Sequence, residues 1–371
     1  MKTLILSCNT GEGHNSCAKA IKEVYDANDD PCAITDALAF ISTGISQFIC
    51  NWHVRIYRYM PGLFRFGYHY SEQHPGVFHQ SSLVYKLLTS GSERLYQYLR
   101  EGEYDQVICV HVFSALMLTD MLKKHPMPIK TAFVATDYTC SPSVEESNLD
   151  WYFIPDDSLA DDFEYPTVPK SKMVGSGIPI RQMFYRRIDK SAAKRGFDVA
   201  PERKHLVMMC GSMGCGPLKR LTKILSCTAP AECEITIVCG TNQKLQKKLT
   251  RRYRKHPGIH VRGYVKDMSM LMDSADLYLT KPGGLSVTEA AVKNLPMVYI
   301  DAVAGCEEYN SRYYVNLGGV KTGANVRELA DACLKLLHNE ETRAEMVYAL
   351  QAQGRANAAV CIHSTMNDEN R

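Results

Sequence analysis

The 371-residue chain has no run of about 18 apolar residues, the length a helix needs to cross a bilayer. Near its start Lys2 is followed by only Leu4-Ile5-Leu6 as an apolar core, too short for a secretory leader. It has 14 cysteines, but no Cys-x-x-Cys pair and no Cys/His cluster at zinc spacing. Such cysteines read as small buried apolar residues and favour a reducing cytoplasm over a disulfide framework. There is no Asp-x-Asp of the kind that holds a metal-bridged diphosphate, and no cofactor is expected. Charge of one sign is also missing. The 43 basic and 40 acidic residues leave a net +3. Residues 244–255 (KLQKKLTRRYRK) are basic, but no helix-turn-helix or RNP sequence accompanies them, so they read as a solvated helix face and no nucleic acid partner is expected.

What is present is an ordinary globular composition, 45% hydrophobic and 22% charged, at a length that predicts two domains. Apolar runs predict strands at residues 2–7, 33–36, 106–111, 130–136, 151–154 and 171–174 in the first half. The second half predicts strands at 205–210, 234–239, 260–264, 277–280 and 297–300. Amphipathic segments separate most of them, which implies α/β domains with parallel, doubly wound sheets. The boundaries read as a first domain over 1–177, a linker rich in Gly, Pro, Arg and Lys over 178–196, and a second domain over 197–340. A helical end over 341–371 would cross back onto the first domain.

Residues 280–290 (TKPGGLSVTEA) read as strand, glycine turn, then helix with a carboxylate in its second turn. Gly283 and Gly284 let the backbone approach a pyrophosphate, and the helix N-terminus offers unpaired N–H groups and a positive dipole end. Glu289 is spaced to accept hydrogen bonds from ribose hydroxyls. The alternative is a glycine-rich turn that binds nothing. A second such turn opens the chain, where strand 2–7 leads into CNTGEGH and a helix. It lacks the third glycine of a dinucleotide fingerprint, and Asp36 is only a weak match for the acidic residue such a site needs, so it does not read as an NAD site. His14 there is placed as a base, as a ligand to an anionic group, or as a helix cap. Residues 51–70 (NWHVRIYRYMPGLFRFGYHY) hold three Arg and seven Phe, Tyr or Trp with no acidic residue. They suit an anionic membrane surface, or else form core with arginines at its edge.

An ordered set of motifs then becomes specific: GEGH, Thr136-Asp137-Tyr138, GSGIPIR at 175–181, CGSMG at 210–214, VCGTN at 238–242, GYV at 263–265, TKPGGLSVTEA, and VAGCEEYN at 303–310. Over residues 1 to about 320 the chain resembles the lipid-acceptor branch of glycosyltransferase family 28, the monogalactosyldiacylglycerol synthases and processive diacylglycerol glucosyltransferases. The resemblance implies a GT-B fold of two facing Rossmann-like domains, the first handling the acceptor and the second a UDP-sugar. It implies inverting, metal-independent transfer of glucose or galactose to diacylglycerol on the inner face of the membrane. By position, His14 and Asp137 match the catalytic histidine and aspartate. Gly211, Ser212 and Met213 with Gly283 and Gly284 match the diphosphate turns. Gly240, Tyr264 and Val265 match the wall around uracil, Glu289 the ribose ligand, and Glu307 and Asn310 the end of the segment that meets the donor sugar. Two departures leave alternatives open. Cys306 stands where the family commonly has Gln, and Thr139-Cys140-Ser141-Pro142 lacks a histidine common in lipid-acting members. The alternatives are transfer of N-acetylglucosamine to a polyprenyl-linked or other lipid, and a non-catalytic nucleotide-sugar-binding regulator.

Overall fold

The computed structural model describes residues 1–8, 12–42, 44, 60–214, 216–300, 305–352 and 356–368. Gly11 of the first glycine loop, and Trp52, Arg55 and Arg58 of the aromatic stretch, lie outside the described residues. The chain forms two compact units. One comprises Met1–Gln182, Val303–Cys306 and Ala356–Arg371, the other Met183–Ala302 and Glu307–Arg355.

The first unit holds a six-stranded sheet: β1 (Thr3–Ser7), β2 (Cys32–Asp36), β3 (Gln106–Cys109), β4 (Lys130–Val134), β5 (Trp151–Ile154) and β6 (Met173–Gly175). Every pairing is parallel, in the order β2-β1-β3-β4-β5-β6. Continuous apolar runs are what a sheet covered on both faces requires. Leu4, Ile5, Leu6, Val107 and Ile108 are fully buried, and burying each such side chain stabilises the fold by roughly 1.5–3 kcal/mol. The helix Glu12–Ala27 packs Cys17, Ala18, Ile21 and Tyr25 inward, at the spacing of one helix face.

The second unit repeats the scheme with β7 (Lys204–Met209), β8 (Cys233–Val238), β9 (Ile259–Arg262), β10 (Leu277–Thr280), β11 (Met297–Tyr299) and β12 (Val320–Thr322). The order is β12-β11-β10-β7-β8-β9, again all parallel. The expected strands through His111 and Thr136 stop at Cys109 and Val134, and the residues beyond them become loop. β12 has no counterpart among the expected strands. It is a three-residue edge strand with only Val320 buried, too short to show a period.

Two segments differ from the sequence reading. The stretch read as a linker is folded: Ile178 and Ile180 are buried, and the helix Lys190–Gly196 packs on the helix Met268–Ser274 inside the second unit. Lys194, which looks like a linker cation, is buried there, its Nζ 3.2 Å from Asp276 and hydrogen-bonded to the Arg203 carbonyl at 2.5 Å. The C-terminal helix is two helices, Glu340–Gln351 and Ala358–Asn367. The first packs on the helices Val326–His338 and Gly284–Val292, and the second packs on Glu12–Ala27 in the first unit.

Candidate active site

In a doubly wound sheet, ligands bind beyond the carboxyl ends of the strands where the strand order reverses. In the first sheet that point lies between β1 and β3, and in the second between β7 and β10. The sequence-predicted residues cluster at both.

After β1, His14 occupies the third residue of the helix Glu12–Ala27 and is half-buried. Its Nδ1 lies 2.8 Å from the Val110 carbonyl, in the loop after β3, and 3.3 Å from Thr136 Oγ1, in the loop after β4. A carbonyl only accepts, so Nδ1 carries the proton and the neutral ring keeps its lone pair on Nε2. His111 is a residue that sequence reasoning placed in a strand. It caps the helix Val112–Lys124, its Nδ1 accepting from the Phe113 N–H, and its ring stacks edge-on against His14 with centroids 4.5 Å apart. Asp137 follows Thr136 and is half-buried. Thr136 therefore brings the loop carrying Asp137 against the first turn of the helix carrying His14. Asp36 ends β2 but accepts from the Leu38 N–H as a 3-10 helix cap.

At the second reversal, the turn Gly211–Gly214 follows β7 and closes with Gly214 N–H donating to the Gly211 carbonyl. Gly211 has φ +68, and a Cβ there would stand 2.6 Å from Lys281 Cε. Gly240, after β8, has φ +56, and its Cβ would stand 2.0 Å from the Ser212 carbonyl oxygen. The Thr241 N–H donates to that carbonyl, so glycine at 240 is what allows the β7 and β8 loops to touch. Gly240 N–H in turn donates to Gly263, which brings Tyr264 and Val265 alongside, Tyr264 74% exposed. The helix after the 211–214 turn begins only at Leu218. Gly214 and Gly216 hold φ +58 and +115, outside helical space, so this turn acts as a loop and not as a helix N-terminus.

After β10 the helix Gly284–Val292 starts with Gly283 as its N-cap, and no side chain caps it. Gly283 has φ −78, and a Cβ there would make only ordinary contacts, the nearest at 3.7 Å to Lys281. The protein's own packing therefore does not require glycine at 283. Asn310 is fully buried, and its Nδ2 donates to the Pro282 carbonyl, fixing the turn from behind. Glu307 is buried and pairs with Lys281 at 2.7 Å. Sequence reasoning passed over Lys281, although a cation beside Pro-Gly-Gly is the signal that would have found it. Its side chain, 17% exposed, lies against both Gly211 and Gly283. Glu289 is half-buried on the same helix, and its charge adds to the burial that pushes the Tyr278 phenol up to about 12. Cys306 is half-buried, one residue before Glu307. No group of three or more candidate metal ligands occurs among the described residues.

The fold defines a class: two Rossmann-like units of the GT-B type. The Acinetobacter baumannii MurG structure superposes with a TM-score of 0.63, covering 99% of each chain at 12% identity. Anabaena HepE in complex with UDP gives 0.61, covering 99% of this chain and 98% of that one at 14% identity. Residues 14–180 match the monogalactosyldiacylglycerol (MGDG) synthase family, and residues 231–353 match the glycosyl transferases group 1 family. The processive diacylglycerol beta-glucosyltransferase of Staphylococcus saprophyticus is 26% identical over 92% of this chain and 86% of its own length. A Staphylococcus aureus enzyme of the same name is 23% identical over 94% and 88%. The resemblance to glycosyltransferase family 28 read from the motifs therefore stands, with glycosyltransferase domains matched in both halves of the chain.

Proposed function

We propose that the protein transfers a hexose, glucose or galactose, from its UDP-sugar to diacylglycerol, with inversion and without a metal ion. The observation that carries this reading is Lys281, held by Glu307 against the two glycine turns of the second unit. A fixed cation beside the N-terminus of the helix Gly284–Val292 meets the charge of a leaving diphosphate, the task a divalent metal performs elsewhere. Glu289 accepts from the ribose hydroxyls, and Gly240, Tyr264 and Val265 flank the uracil.

In the reaction, His14 Nε2 takes the proton of the diacylglycerol hydroxyl, or Asp137 does so in its place. The oxygen attacks the anomeric carbon from the face opposite the diphosphate. The carbon–oxygen bond to UDP breaks as the new one forms, its electron pair leaving on the diphosphate. One displacement inverts the centre. Support for the acceptor comes from the names of the staphylococcal relatives, and for the nucleotide from the UDP complex of a protein of the same fold.

Diacylglycerol sits in membranes, and the structure exposes an apolar row for it. On the helix Pro61–Gln73, Leu63, Phe66 and Tyr70 are 47%, 67% and 46% exposed, and nearby Leu83 is 84% exposed. Among the described residues no helix is long and apolar enough to cross a membrane. The exposed row supports peripheral attachment to a membrane, and the reading places it at an anionic inner leaflet. The test is a donor panel of UDP-glucose, UDP-galactose and UDP-N-acetylglucosamine on diacylglycerol in mixed micelles with EDTA, with products read by mass and anomeric coupling. The expected product is a β-linked hexosyl diacylglycerol. Use of UDP-N-acetylglucosamine alone, an α-linked product, or activity only after metal is added overturns the corresponding part.

A further inference from the structure

The helices Leu218–Thr228 and Gln243–Tyr253 together carry eight Lys or Arg and no acidic residue. The whole chain stands at +3, so everything outside these two helices sums to −5. All eight cations are exposed, and among the described residues none of them pairs with a carboxylate. Other surface lysines are paired, as Lys190 is with Asp276 at 2.9 Å.

The two basic faces converge. Lys219, Arg220 and Lys223 from the first helix and Arg252 from the second line one open cavity of about 440 Å3. The Lys219 ammonium is held below the ordinary lysine range, first by Lys248 and then by Arg252 and Arg220. Folding does not need this crowding. The helices bury Leu218, Leu221 and Leu225, and Leu249 and Tyr253, on their other faces, and those would pack equally well with mixed charges outside. Like charges collected on one face serve a ligand of opposite sign. Long, fully exposed side chains spread over two helices fit a planar array of phosphates better than one small anion, which a buried pocket would hold.

We propose that this face of the second unit docks on anionic phospholipid headgroups of the membrane that carries the acceptor. The inference rests on the lipid-acceptor reading above. It is tested by sedimentation with phosphatidylglycerol/phosphatidylcholine vesicles and with phosphatidylcholine alone, for the parent and for Lys219→Ser/Lys248→Ser/Arg252→Ser. The parent should favour the anionic vesicles, and the triple variant should lose this binding by on the order of tenfold or more. Its thermal unfolding and its turnover on micellar acceptor should match the parent. Lys219→Arg/Lys248→Arg should bind as the parent does. Equal binding by the triple variant, equal binding to neutral vesicles, or displacement by inorganic phosphate at matched ionic strength each overturns the proposal. Preferential capture of single-stranded RNA does so too. If the parent transfers no sugar in micelles, the lipid-acceptor reading fails instead, a result independent of the vesicle measurement.

Discussion

At the scale of single residues, the chemistry turns on one imidazole and one ammonium. Val110 fixes the His14 tautomer from 96 positions away, so GEGH was legible as a loop but the tautomer was not. If His14 is the base, His14→Ala lowers kcat by about 10²–10⁴ without weakening UDP binding, as turnover and calorimetry would show. A large loss in Asp137→Asn beside a nearly normal His14→Ala would move the role to Asp137. Lys281 gives a second expectation. Lys281→Met removes the cation facing the buried Glu307 carboxylate, which costs up to about 3–5 kcal/mol of stability. Adding Glu307→Gln should restore the urea midpoint but not the turnover, which should lie on the order of tenfold or more below Glu307→Gln alone. Turnover equal to Glu307→Gln would make Lys281 a purely structural cation. The residue was overlooked because Lys before Pro-Gly-Gly carries no periodicity, and its partner lies on another element.

At the scale of elements, the glycine turns separate packing from binding. Gly240 is required by the fold, since alanine there meets the Ser212 carbonyl at positive φ, with a strain of about 1–2 kcal/mol before the clash is counted. Gly283 is not, having negative φ and room for a methyl group. Gly240→Ala should therefore lower the melting temperature. Gly283→Ala should leave stability within about 0.5 kcal/mol while UDP affinity falls by tenfold or more. A Gly283→Ala protein that binds UDP as the parent does would remove the diphosphate from this turn. Both turns were visible as glycine after an apolar run, Gly240 alone and Gly283 paired with Gly284. The start of the helix Leu218–Thr228 was not, because Gly214, Gly216 and Pro217 push the chain through non-helical φ before it can begin.

At the scale of the whole molecule, each unit has its own core, and one buried histidine ties the second unit's stability to pH. His205 is fully buried on β7, with Nε2 2.8 Å from Thr236 Oγ1 and Nδ1 3.0 Å from Ser274 Oγ. Burial pushes it down to about 4, against 6.5 for an unhindered histidine. The unfolded chain thus takes up the proton first as pH falls. Stability present above pH 6.5 is lost through about pH 4, by up to roughly 3 kcal/mol. In calorimetric scans over this range the transition of the second unit should move down with pH, and His205→Gln should flatten that dependence. An unchanged slope in the variant would assign the fall to carboxylates. Eleven of the twelve strands, both parallel sheets and the glycine turns followed from the sequence by itself, because apolar runs and turn residues act on the backbone where they stand. Only the tertiary structure decided that His14 meets Val110, that Gly240 meets Ser212, that Lys281 meets Glu307, and that two basic helices share one face. Those contacts depend on strand order, which is settled by how the crossover helices bury their apolar faces, and no local pattern records which carboxyl ends become neighbours.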